Sequence, residues 1–195
     1  SGGAVTVDVI IEHRIRPGAK LSEDEVGDIF GVSRTVARAA LQALAHGGLV
    51  TIERNRGAFV SRPSLREAHE VFEARALLEP RIGRMAAQNM NAAAEARLKR
   101  HIEAEHQALA AGDKGRALAL SGAFHAEIAD IAGQSVFSGL LRQLLSRSSL
   151  IIALYWKRPD TTCERHSHDA LVKALVNRDA NAVEDIMKSH IIDLH

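Results

Sequence analysis

Residues 31–38 read Gly31-Val32-Ser33-Arg34-Thr35-Val36-Ala37-Arg38, and this stretch decides the fold. Glycine ends helices in the left-handed conformation, and serine caps the start of the next one. The pair predicts one helix ending near Phe30 and a second running from Ser33 to about His46, where Gly47-Gly48 closes it. Upstream, Ser22-x-x-Glu25 is a capping box that opens the first of these helices after the Pro17-Gly18 break. An apolar stripe of Val5, Val9 and Ile10 predicts one more helix before that break. Downstream, Leu49–Glu53 and Ala58–Ser61 are β-prone. Their connection, Arg54-Asn55-Arg56-Gly57, holds the Asn and Gly that accept the positive φ angles of a tight hairpin. Helices and ribbon in that order make a winged helix-turn-helix.

The charge distribution agrees with that reading. The chain has 195 residues and a net charge of +1. Residues 1–33 carry three bases against six acids, whereas residues 34–62 carry five arginines against Glu53 alone. Arginine suits phosphate forks and guanine edges, so a local patch on a nearly neutral chain suggests a defined polyanion footprint. A solvated arginine face would have the same composition. Arg34 and Arg38 are four apart and share a helical face at the end of the second helix that meets the major groove in this fold. Arg54 and Arg56 stand at the wing tip, within reach of phosphates or the minor groove.

Beyond a short linker at 62–65, the pattern is helical throughout. Six helices are predicted near 66–89, 91–112, 114–132, 135–158, 162–178 and 180–194, with a second capping box at Ser64-x-x-Glu67. Asn91, Gly112-Asp113, Gly133, Pro159 and Asp179 supply the breaks. Short loops between six helices predict an antiparallel bundle. The chain is therefore expected to be mainly α, with domains at 1–62 and 63–195. A hydrophobic fraction of 46% and a charged fraction of 25% exclude a disordered or collagen-like chain. The longest apolar run, Leu150–Trp156, falls short of the roughly 18 residues a membrane span needs. One cysteine, Cys163, and no leader pattern lead to the expectation of a cytoplasmic protein.

Three blocks now carry a specific resemblance. Arg16-Pro17-Gly18-Ala19-Lys20-Leu21-Ser22-Glu23, Gly31 to Thr35, and Arg54-Asn55-Arg56-Gly57-Ala58-Phe59-Val60 resemble the GntR family of bacterial transcription regulators. Its usual pattern is close to P-G-x-x-L-S-E, G-V-S-R-T-P-V-R-E-A-L and N-R-G-A-F-V. Val36-Ala37 stands where Pro-Val is usual, and Ala39 replaces the common Glu. The resemblance implies DNA contacts at Ser33, Arg34, Thr35 and Arg38, with the wing contributing Arg54, Arg56 and Gly57. Together with the helical C-terminal part, the chain is similar to the FadR-type subgroup, whose FCD domain binds ligand. That implies a homodimer on a palindromic operator, answering to a metabolite, with repression as the expected direction.

Ten histidines are many for this length. His125, His168 and His190 fall on three predicted helices at spacings that match no short-loop zinc motif, so spacing alone does not bring them together. The resemblance does: Phe124-His125, His168-x-x-Leu171 and Met187-x-x-His190 look like the family's ligand-bearing segments, which hold a divalent metal in the bundle core. Zinc or nickel is expected. Ser121 occupies the position of the usual fourth ligand, an Asp one turn before the first histidine. Without a metal, the three would be buried histidines bonded to one another and to water. The other seven, His13, His46, His69, His101, His106, His166 and His195, read as surface or interface residues.

Arg75 and Glu79 match the family's R-x-x-x-E. They are either an intrahelical salt bridge on a wet face or a pocket pair in which Arg75 clamps a carboxylate. The second option, with Ser121 alongside, makes a small organic acid the expected effector. Tyr155 and Trp156 read as packing or dimer residues. Two other functions fit parts of the sequence: a metalloenzyme using three histidines, and a regulator whose histidine site is purely structural. No H-E-x-x-H or other general-base pattern accompanies the histidines, and an enzyme would leave the winged helix unexplained, so no catalysis is expected.

Overall fold

The computed structural model describes residues 16–155 and 162–193, and the side chains of 162–166 and 193 lie outside that description. The predicted first helix, His13, Trp156, Pro159 and His195 therefore lie outside the described residues, as do the side chains of Cys163 and His166. The described chain runs β1 (Lys20–Leu21), α1 (Glu23–Phe30), α2 (Arg34–His46), β2 (Val50–Glu53) and β3 (Gly57–Val60), then α3 (Leu65–Asn89), α4 (Ala92–Ala110), α5 (Lys114–Ala132), α6 (Ser135–Tyr155), α7 (Thr162–Val176) and α8 (Ala180–Asp193). This is the expected winged helix-turn-helix followed by six bundle helices.

The caps act where the sequence places them. Ser22 and Glu25 close a reciprocal capping box, Gly31 ends α1 at φ 61°, and Ser33 caps α2. Asn55 at φ 62° and Gly57 at φ 107° turn the chain between β2 and β3. The ladder pairs Val50 with Val60 and Glu53 with Gly57. A third strand was not predicted: Lys20 and Leu21 pair with Phe59 and Ala58, which puts β3 in the middle. Two residues are too few to leave a period-2 signal. The box expected at Ser64 is only half formed. Ser64 Oγ accepts from the Glu67 amide, but the Glu67 carboxylate turns away to Arg147 on α6, 2.8 Å distant. A charged partner outcompetes the backbone amide there.

In the bundle, α3 is the central element and packs against α5, α6, α7 and α8. Gly83 permits a close approach of α8, since a Cβ there would lie 2.8 Å from Val183. Ile82, Leu98, Phe124, Ile128, Leu141, Leu171, Leu175 and Met187 fill the bundle core. Fully burying each such side chain contributes about 1.5–3 kcal/mol. A second core, of Leu21, Val26, Ala37, Leu41, Leu44, Leu49, Val50 and Val60, holds the N-terminal head together. Leu150 of α6 belongs to that second core, although its neighbour Ile151 belongs to the first. Arg147 lies beside it against Gly48, which has φ 77° and no side chain to block the guanidinium. Tyr155 donates its hydroxyl to the Pro63 carbonyl in the linker, 2.9 Å away. Among the described residues, no helix is long and apolar enough to cross a membrane.

Candidate functional site

The head presents its arginines as a group. Ser33, Arg34, Thr35 and Arg38 are exposed at the start of α2, while Ala37 between them is buried and fixes that face outward. Arg34 and Arg38 do share a face, and both reach Glu23 of α1. At the wing, Arg54, Arg56 and Gly57 are exposed. The Arg56 guanidinium is paired with Glu53 and lies over the Phe59 ring, 5.5 Å from its centroid. The tip is thereby held in place before any ligand arrives. In the sequence Glu23 stands out only as an acid and as the end of the Arg16–Glu23 block; its contact with the arginines depends on how α1 and α2 pack.

In the bundle, α5, α7 and α8 bring His125, His168 and His190 to one point. The Nε2 atoms of His125 and His190 are 3.2 Å apart, those of His168 and His190 3.1 Å, and those of His168 and His125 3.3 Å. All three residues are buried. Two of the outer nitrogens face carboxylates. Glu79 Oε2 on α3 lies 2.5 Å from His125 Nδ1, bent from a linear hydrogen bond, and Glu105 Oε2 on α4 lies 2.9 Å from His168 Nδ1. A carboxylate against Nδ1 keeps the proton there and leaves Nε2 with its lone pair. Two lone pairs therefore aim at one point, and the Nε2 of His190 carries at most one proton to share between them.

That arrangement suits a cation. Imidazole nitrogens bound to one ion at about 2.1 Å lie about 3.0 Å apart at a right angle and about 3.4 Å at a tetrahedral angle. The observed separations fall between these values. Among the described residues, these three histidines are the group able to hold a metal ion. Electrostatics favour the same state. Burial pushes the His125 imidazolium down despite Glu79 beside it. Burial also pushes His190 well down, with the neighbouring imidazoles adding to it. Both are neutral at pH 7, the form that ligates. Ser121 is buried one turn before His125, where the family's carboxylate would stand.

Arg75 and Glu79 depart from the wet-face reading. They form a salt bridge of 2.5 Å, but both are buried, at 2% and 1% exposure. Arg75 also donates to Ser148 Oγ on α6, at 3.0 Å. Burial acts to raise the Glu79 carboxyl, yet Arg75 and His125 outweigh it and hold it well below the usual carboxylate range. Glu79 touches the histidine centre, and the Arg75 guanidinium beside it is engaged by Glu79 through Nε and by Ser148 through Nη1. Glu105 and Ser148 were missed. They lie on helices whose pairing no local signal reports.

Of the remaining histidines, His46 and His69 are exposed as expected. His101 and His106 are half-buried, near Glu127 and Asp169 respectively, because α4 lies against α5 and α7.

A winged head on a helical bundle with a buried histidine centre defines a DNA-binding transcription regulator with a ligand-sensing domain. The gntR family of bacterial regulatory proteins matches residues 7–60, and the FCD domain family matches residues 70–193. The chain belongs to the GntR family, in the branch that carries an FCD domain. It is 27% identical to the Uxu operon transcriptional regulator of Escherichia coli K12, over 97% of this chain and 82% of that one. It is 26% identical to the transcriptional repressor RspR of the same organism, over 95% and 82%. Its fold matches a GntR transcriptional regulator of Rhodococcus sp. RHA1 with a TM-score of 0.80, at 23% identity over 96% of this chain and 90% of that one. It matches Escherichia coli McbR/YncC at 0.79, with 20% identity over 97% of both.

Proposed function

We propose that this regulator works in the cytoplasm as a homodimer on a palindromic operator, through Ser33, Arg34, Thr35 and Arg38 in the major groove and Arg54, Arg56 and Gly57 at the wing. Its histidine centre, His125, His168 and His190, would hold a divalent ion, zinc or nickel. When bound, the ion supplies a Lewis-acid anchor with positions left open for a small organic acid. Ser121, which brings no charge to the fourth position, leaves that place to the effector carboxylate. The observation that carries this reading is the meeting of three Nε2 atoms at 3.1–3.3 Å with carboxylates behind two of them.

The histidine centre has two routes to the head. One is the linker at 62–65. The other is α6, which accepts from Arg75 at Ser148 and enters the head core at Leu150, two residues on. A ligand that shifts α6 would bias the pose of the DNA heads, an effect typically of about 1–3 kcal/mol in coupled systems. Repression relieved by the acid is the expected direction, and relatives named repressors support the repressor part of it.

Elemental mass spectrometry of tag-free protein tests the centre. About one ion per chain in the wild type, lost in His168→Ala, is expected. A metal-free wild type from metal-replete cells would turn the histidines into a structural polar core and overturn the metal-anchored effector.

A further inference from the structure

Glu23 opens α1 on the same surface as the recognition arginines. Its Oε2 accepts from Arg34 Nε at 2.9 Å and from Arg38 Nη2 at 2.9 Å, and its Oε1 accepts from Arg38 Nε at 2.6 Å. Asp24 adds a longer ion pair to Arg34, at 3.7 Å. The Glu23 side chain is 24% exposed, against 67% and 60% for the two arginines, so the carboxylate sits beneath them. Hydrogen bonds from Arg38 and then Arg34 lower the Glu23 carboxyl to about 2, so it is ionised wherever duplex DNA is intact.

A fixed negative charge on a surface that meets a polyanion opposes binding unless it does something else. The bonding pattern indicates what. Glu23 engages Nε of Arg34 and one edge of the Arg38 guanidinium, and leaves Nη1 of Arg38 and both terminal nitrogens of Arg34 outside these bonds. The forked contact fixes the plane of the Arg38 guanidinium, and the single Nε bond anchors Arg34 beside it. A guanidinium with a fixed plane can discriminate the paired acceptors of guanine, whereas a free one settles on the nearest phosphate.

We propose that Glu23 is a specificity-determining positioning residue, which contacts no base but holds Arg34 and Arg38 in the planes that read base edges. This rests on the assignment of those arginines to the major groove. Glu23 is not the α1 cap, which is Ser22, so replacing it leaves the capping box with Glu25 in place.

The test uses the full chain and a pool of duplex DNA with a randomised centre. The wild type enriches a motif, and binding to that motif and to an unrelated duplex of equal length is then measured at one salt concentration. For Glu23→Gln, affinity for the unrelated duplex holds or rises, affinity for the motif falls, and their ratio drops about tenfold. In an Arg34→Ala, Arg38→Ala background, Glu23→Gln no longer changes the ratio. Affinities that rise equally would make Glu23 a repulsive charge only, and affinities that fall equally with a lower melting temperature would make it structural; either overturns the proposal. A wild type that enriches no motif overturns the base-reading assignment itself.

Discussion

Glu105 on α4 clamps His168 on α7, with its two carboxylate oxygens 2.9 and 3.1 Å from Nδ1. The clamp sets the ring orientation and sends Nε2 toward His125 and His190. Carboxylates behind ligating histidines typically contribute 10–100-fold, or about 1.4–2.7 kcal/mol, to metal affinity. Glu105→Gln should therefore weaken zinc binding by about that factor, as read by competition with a chromophoric chelator. Unchanged affinity would make Glu105 a packing residue only.

Glu79 shares its charge between Arg75 and His125, and all three are buried. Removing one partner of a buried pair leaves the other uncompensated, which costs about 3–5 kcal/mol. Glu79→Ala should lower the urea midpoint of the metal-free protein accordingly, with the slope unchanged. A loss below about 1 kcal/mol would mean that water reaches Arg75.

Acid should destabilise the metal-free protein in two stages. His125 and His190 have folded values pushed below the ordinary one of about 6.5. The unfolded chain then binds protons that the fold does not, so stability is intact above about pH 6.5 and falls below it. Glu79 is also depressed, so its contribution is intact above the usual carboxylate range and is lost only in strong acid. The melting temperature should fall between pH 7.5 and 5.5, and fall less in His190→Asn. An equal fall in both would place the titrating group elsewhere.

Arg34 and Arg38 face outward on α2 above Glu23. Either change to alanine should cost about 1–3 kcal/mol in binding to the selected DNA motif, measured by fluorescence anisotropy. If both mutants keep wild-type affinity, the groove-facing element is not α2.

Arg56 is already held by Glu53 and Phe59 at the wing. Arg56→Ala should weaken binding to every sequence and reduce the slope of log affinity against log salt by about 1. A loss confined to one base pair would instead make Arg56 a base reader.

What the sequence disclosed follows from the range of the interactions. Ser22, Gly31, Ser33, Asn91, Asp113 and Gly133 act within one helical turn, and each stands where its element begins or ends. The three histidines are separated by 43 and 22 residues, so their meeting followed from the resemblance, not from spacing. Glu105 and Ser148 had neither aid, because their partners His168 and Arg75 stand 63 and 73 residues away in the chain. Arg75 and Glu79 show the same limit from the other side. Their i, i+4 spacing predicts a salt bridge in water or in the core alike, and only the packing of α3 at the centre of the bundle decides for the core.

Leu150 places one residue of the helical bundle inside the core of the DNA-binding head. A cut at residue 62, natural by sequence, would thus remove Leu150 from that core and expose the apolar side chains packed against it. A head transplanted onto another sensor would need that sensor to supply an apolar side chain of similar bulk at the same place. Modularity in this protein is a property of the gene more than of the folded chain.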